Sequence, residues 1–173
     1  LLRKWGGNCA ADEQAGQAII QLIGGLPLSI RLVGRYLKEQ NQPASEYLLW
    51  LQSTPLVALD QGKRSLDSVP YLLERSLQAL PENAGQLLGL MGVLAFAPFP
   101  KALFQPALGL PYAEEQHNLT ALVNYGLVIR RKAQVPLFEL AHPLVHTYAH
   151  LRLPAPQEVL TSLAMHFINL IQT

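Results

Sequence analysis

Leu127-Val128-Ile129-Arg130 and Pro136-Leu137-Phe138-Glu139-Leu140, joined by Arg131 to Val135, form the stretch where the apolar period of this chain changes. Both runs are short and β-like, and they flank the loop Arg131 to Val135, which predicts a β-hairpin. The residues before them repeat at helical spacing instead. Leu72, Leu73, Ser76, Leu77 and Leu80 make an amphipathic helix, and Pro81-Glu82 opens a second carrying Leu87, Leu88, Met91 and Leu94. Phe99 to Leu108 and Glu114 to Tyr125 read as shorter helices. After the hairpin, a helix is expected from Pro143 to about Leu151. Pro154-Ala155-Pro156 then breaks the chain before a last helix with Leu160, Leu163, Phe167, Leu170 and Ile171.

The N-terminal part is helical throughout. Ala15, Ala18, Ile19, Leu22 and Ile23 share one face of a helix that Gly24-Gly25 ends. Pro27 has the fixed φ of a first helical position, and Leu26, Ile30, Val33 and Leu37 stripe the helix running to Lys38. Ser45 is placed to cap a third helix with Tyr47, Leu48, Trp50 and Leu51. Pro55 and Asp60-Gln61-Gly62-Lys63-Arg64 interrupt the pattern, so a linker is expected at 54–67. Three helices followed by a hairpin is the order of a winged helix. The expected fold is therefore mainly α: a helical subdomain at 1–60, a winged-helix domain with a short hairpin wing at 61–153, and at 154–173 the start of a following helical segment.

Composition narrows the function classes. Half of the 173 residues are hydrophobic, ample for a buried core. Thirteen basic against twelve acidic side chains leave a net charge of +1, so no long-range field draws the chain to nucleic acid or to an anionic membrane. Cys9 is the single cysteine; it can form no internal disulfide, which favours a reducing, cytoplasmic setting. The strongly apolar run from Leu87 to Pro100 is broken by Gly89, Gly92, Pro98 and Pro100 and is too short to span a bilayer. The sequence opens at Leu1 without a methionine or a targeting signal and reads as a piece of a longer protein.

Two stretches carry chemistry. Gly24-Gly25-Leu26-Pro27-Leu28 and Leu140-Ala141-His142-Pro143-Leu144-Val145 each set a proline or histidine at a helix start, where backbone N–H groups lack partners. A Gly-Gly-Leu-Pro-Leu turn, then a winged helix, then a histidine opening the helix after the wing, resembles the C-terminal half of the NB-ARC module of STAND signalling NTPases. The resemblance covers nearly the whole chain. Leu80-Pro81, Leu122 and Tyr125-Gly126-Leu127-Val128 also resemble that family's winged-helix pattern. It implies that Gly25, Pro27 and Leu28 belong to the adenine side of an ADP or ATP site. It implies too that His142 stands for the histidine of the methionine-histidine-aspartate motif, which contacts the β-phosphate and holds the closed, inactive arrangement.

The departures are specific. Proline occupies position 143, where the family has aspartate. No Gly-x-x-x-x-Gly-Lys-[Ser/Thr] loop exists: Gly62-Lys63 is followed by Arg64, and Val57 stands where the first glycine belongs. The resemblance then implies a P-loop domain elsewhere in the same protein, magnesium bound only there, C-terminal sensor repeats, and a homo-oligomer on activation. The stretch itself is expected to be non-catalytic. His142, His146 and His150 stack at helical spacing, yet no cysteine completes a ligand set and Glu139 lies outside the helix, so no metal is assigned. A winged-helix DNA-binding regulator is the rival reading, and a plain protein-contact module a third. Against DNA, the candidate recognition helix contains Glu114 and Glu115 and no lysine or arginine.

Overall fold

The computed structural model describes residues 1–53 and 68–172, so the linker expected at 54–67, with Gly62-Lys63, lies outside the described residues. Contacts divide the chain into two compact units. Unit one comprises Leu1–Ala79 with Asn124–Gly126; unit two comprises Leu80–Val123 with Leu127–Thr173. The described residues are mainly helical, with one small antiparallel sheet. Among them no helix is long and apolar enough to cross a membrane.

Unit one contains α1 (Leu2–Gly6), a 3-10 turn (Gly7–Ala10), α2 (Glu13–Leu22), α3 (Pro27–Glu39), α4 (Ala44–Ser53) and α5 (Ser68–Gln78). The α2 start is capped by Asp12, whose carboxylate accepts from the Ala15 N–H at 3.0 Å. The α3 stripe buries Ile30, Val33 and Leu37, and Ile19 and Ile23 of the preceding segment are buried with them. Helix α1 crosses α3 where side chains are smallest: a Cβ on Gly34 would sit 2.5 Å from Trp5 Cβ and 3.2 Å from Gly6 N. Helix α5 is tied in by Arg75, whose guanidinium lies 3.8 Å from the Trp50 ring centroid, 4.8 Å from Tyr36 and 4.9 Å from Tyr47. Burial pushes the Tyr47 phenol well above its ordinary range. Helix α4 begins at Ala44, so Ser45 lies inside it rather than capping it.

Unit two contains α6 (Ala84–Val93), β1 (Phe99–Pro100), a 3-10 turn (Lys101–Leu103), α7 (Gln105–Leu108), α8 (Tyr112–Asn124, whose last residue belongs to unit one), β2 (Val128–Arg131), β3 (Leu137–Leu140), α9 (Pro143–Arg152) and α10 (Gln157–Gln172). The hairpin strands pair with Val128 opposite Leu140 and Arg130 opposite Phe138. Strand β1 adds to the other side of β3, giving the order β1-β3-β2. This strand corrects the helix expected from Phe99. Prolines at 98 and 100 remove two backbone donors, and a residue preceding proline is driven toward extended backbone. Phe99 is thus available to pair with Phe138 and to meet Phe104 edge-on at 4.9 Å. Helix α6 also starts later than Pro81: the Pro81 carbonyl accepts a turn hydrogen bond from Ala84 at 3.0 Å, and Asn83 is the residue before the helix.

Helices α6 and α9 meet along a glycine seam. A Cβ on Gly89 would fall on the backbone carbonyl of Leu153, and one on Gly92 would lie 2.7 Å from His150 N. Replacing Gly89 by alanine forces backbone apart in a packed core, a cost of about 1–3 kcal/mol. On the same helix a Cβ on Gly85 meets nothing within 4 Å, so Gly85→Ala gains helix propensity of up to about 1 kcal/mol. Urea denaturation should therefore move the unfolding midpoint of Gly89→Ala down and that of Gly85→Ala up; equal midpoints for the two variants contradict the seam.

Candidate functional site

The first candidate stretch is built by the end of α2. Gly24 and Gly25 have φ of 72° and 67°, the left-handed region that side chains resist. The Gly24 N–H bonds to the Gln21 carbonyl at 3.1 Å and the Gly25 N–H to the Ile20 carbonyl at 2.9 Å. That pair of bonds is a Schellman stop, and it satisfies carbonyls that the helix leaves open. Leu26 is then extended, with φ −63° and ψ 131°, and Pro27 begins α3 at a position whose N–H would have had no intrahelical acceptor. Gly25 and Pro27 are exposed, whereas Leu28 is buried at 7% exposure. Gly25 and Pro27 can thus present a surface to a flat ligand, while Leu28 anchors the turn in the core of unit one.

Two residues on the Pro27 face escape a motif-based reading. Arg31 and Arg35 follow Pro27 at successive helical turns. The Arg31 guanidinium is held below its usual range by burial and then by the like charge of Arg35. The Arg35 guanidinium carbon stands 5.1 Å from the centroid of the Trp5 ring. Their signal in the sequence is the four-residue spacing, which places cationic side chains along the helix that the proline opens.

His142 is the N-cap of α9. Its backbone is extended, φ −164° and ψ 148°, and its carbonyl accepts from Val145 at 2.9 Å and His146 at 3.1 Å. The ring acts in the same cap: Nδ1 accepts the Leu144 N–H at 3.1 Å. A neutral imidazole that accepts at Nδ1 carries its proton at Nε2, so Nε2–H is the donor that the cap leaves over. Pro143 keeps this geometry, since a first helical position tolerates proline. His142 is half-buried. Pro27 and Gly25 belong to unit one and His142 to unit two.

The other two histidines of α9 are occupied. His146 Nε2 donates to the Leu94 carbonyl at 2.8 Å, and His150 Nδ1 to the Gly92 carbonyl at 3.2 Å, so both rings satisfy acceptors at the C-terminal end of α6. The two rings stack at 6.4 Å, and His146 also meets Phe96 edge-on. Among the described residues no group of three or more His, Cys, Asp or Glu side chains is placed to hold a metal ion. Compared with protein-family models and with curated proteins, the chain matches none.

The capping role of His142 is read by substitution. His142→Ala removes the cap and should lower stability by about 1 kcal/mol, whereas His142→Asn, with a side-chain oxygen that can accept the same N–H, should retain most of it. Thermal unfolding of the two variants beside the parent sequence checks this; an asparagine variant as unstable as the alanine variant would show that the ring does not cap α9.

Proposed function

We propose that this chain is the nucleotide-sensing, regulatory part of a STAND-type switch related to the NB-ARC module. In this reading Pro27 packs against the adenine, and His142 Nε2–H donates to the β-phosphate, of an ADP or ATP held mainly by a P-loop domain that this stretch of sequence lacks. The observation that carries the proposal is the pairing of function with cap. An exposed proline follows a double left-handed glycine turn, and the histidine of the second motif keeps a single N–H donor after its other nitrogen is spent on the helix. Both groups stand at helix N-termini, whose amides and dipole favour an anion.

The order of unit two fits a winged helix. Helix α6, strand β1, the short helix α7, helix α8 and the β2–β3 hairpin succeed one another, with β1 beside β3 in the sheet. A DNA-reading use of that unit has little to stand on. Glu115 of α8 is buried, Glu114 bonds Asn83, and Arg131 of the hairpin is neutralised by Glu139, which also raises the affinity of that guanidinium for its proton. Few phosphate-neutralising charges remain.

With no Gly-x-x-x-x-Gly-Lys-[Ser/Thr] motif in its sequence, the 173-residue chain should bind ADP with a dissociation constant on the order of 1 mM or weaker. A two-dimensional amide NMR titration with ADP should shift the Leu28, Ser29 and Leu144 resonances before others. Micromolar affinity, or saturable shifts that spare both helix starts, would defeat the proposal.

A further inference from the structure

Unit two holds a cavity that the nucleotide reading does not use. The β2–β3 register places Arg130 and Phe138 directly opposite on one face of the sheet, and Val128 and Leu140 continue that face into the core. At the Arg130 end the face is left open. A cavity of about 390 Å³ lies there, near the lower end of the range for small-molecule sites. Phe138 and Pro136 supply its apolar surface, and Lys101, Tyr112, Gln116 and Arg130 its polar edge.

The charges at this edge are unequal. Lys101 Nζ lies 3.3 Å from Oε2 of Glu115, a buried carboxylate that it neutralises by charge rather than through hydrogen-bond geometry. The same ammonium donates to the Gln116 side-chain oxygen at 3.1 Å and sits 3.7 Å from the centroid of the Tyr112 ring. Lys101 is thereby fixed, and it holds an exposed aromatic ring in place beside the opening. Arg130 is exposed and has no ion pair among the described residues, since the neighbouring Arg131 takes Glu139. A guanidinium in this position offers a planar two-donor fork to a carboxylate. Tyr112 also begins α8, so the positive end of that helix adds to the same preference.

The geometry points to a binding site in unit two for a small aryl carboxylate: a flat apolar body against Phe138, Pro136 and the Tyr112 ring, and an acid group on Arg130. The site lies within one unit and shares no residue with Pro27 or His142, so its fate is independent of the nucleotide assignment.

Amide NMR titration of the 173-residue chain with 2-naphthoate tests it, with 2-naphthamide as the neutral isostere and a 12-base-pair DNA duplex as competitor. Expected are saturable shifts at Lys101, Gln116, Arg130 and Phe138 with a dissociation constant below about 1 mM, and affinity for the amide at least about tenfold lower. Arg130→Gln should erase the difference between acid and amide, and Tyr112→Ala should weaken both. Because both side chains are exposed, neither variant should lose stability in a parallel thermal melt. Equal binding of acid and amide, an acid preference untouched by Arg130→Gln, shifts centred elsewhere, or displacement of the naphthoate by the duplex would each overturn the proposal.

Discussion

Helix ends are the constraint on which this molecule turns. An α-helix leaves four amides and four carbonyls without intrahelical partners at its ends, and burying one unsatisfied costs on the order of 1–3 kcal/mol. The residues that look most like functional motifs are the ones that meet this demand. Gly24 and Gly25 close α2, Pro27 opens α3 without wasting a donor, His142 caps α9, and His146 and His150 cover carbonyls at the end of α6. The proposed nucleotide contacts use what these caps leave over: the exposed Pro27 ring and one imidazole N–H of His142.

That economy also explains how much of the fold is legible in the sequence. Local signals were legible because their physics is local. The glycine pair fixes a stop through its own backbone, the stripe of Ile30, Val33 and Leu37 fixes the buried face of α3, and the runs around Arg131 to Val135 pair as strands. Features whose partners are remote in sequence were not. Strand β1 exists because Phe99 and Pro100 find β3 about forty residues later, and nothing near Phe99 announces that pairing. Arg75 is an ordinary exposed-looking residue of an amphipathic helix until Tyr36, Tyr47 and Trp50 surround it.

The candidate site was partly legible for the same reason. The helix-start position of Pro27 and His142 follows from Gly25 and Pro143 alone. Which nitrogen of His142 is engaged does not, because it depends on the Leu144 amide being presented to the ring by the turn. The spacing of His142, His146 and His150 indicates a shared face, but the last two rings bond to α6 carbonyls, a role set by the Gly89 and Gly92 seam that brings the two helices close. Leu28 likewise reads as part of a motif and turns out to be core.

The α9 cap and the proposed phosphate contact both rest on one tautomer of His142. Long-range nitrogen–proton correlation NMR on the imidazole of His142, at a pH where the ring is neutral, reads it directly. An unprotonated Nδ1 and a protonated Nε2 are predicted, since Nδ1 is the acceptor for the α9 cap. A ring protonated at Nδ1 would leave the cap unmade and remove the Nε2–H donor on which the phosphate assignment depends.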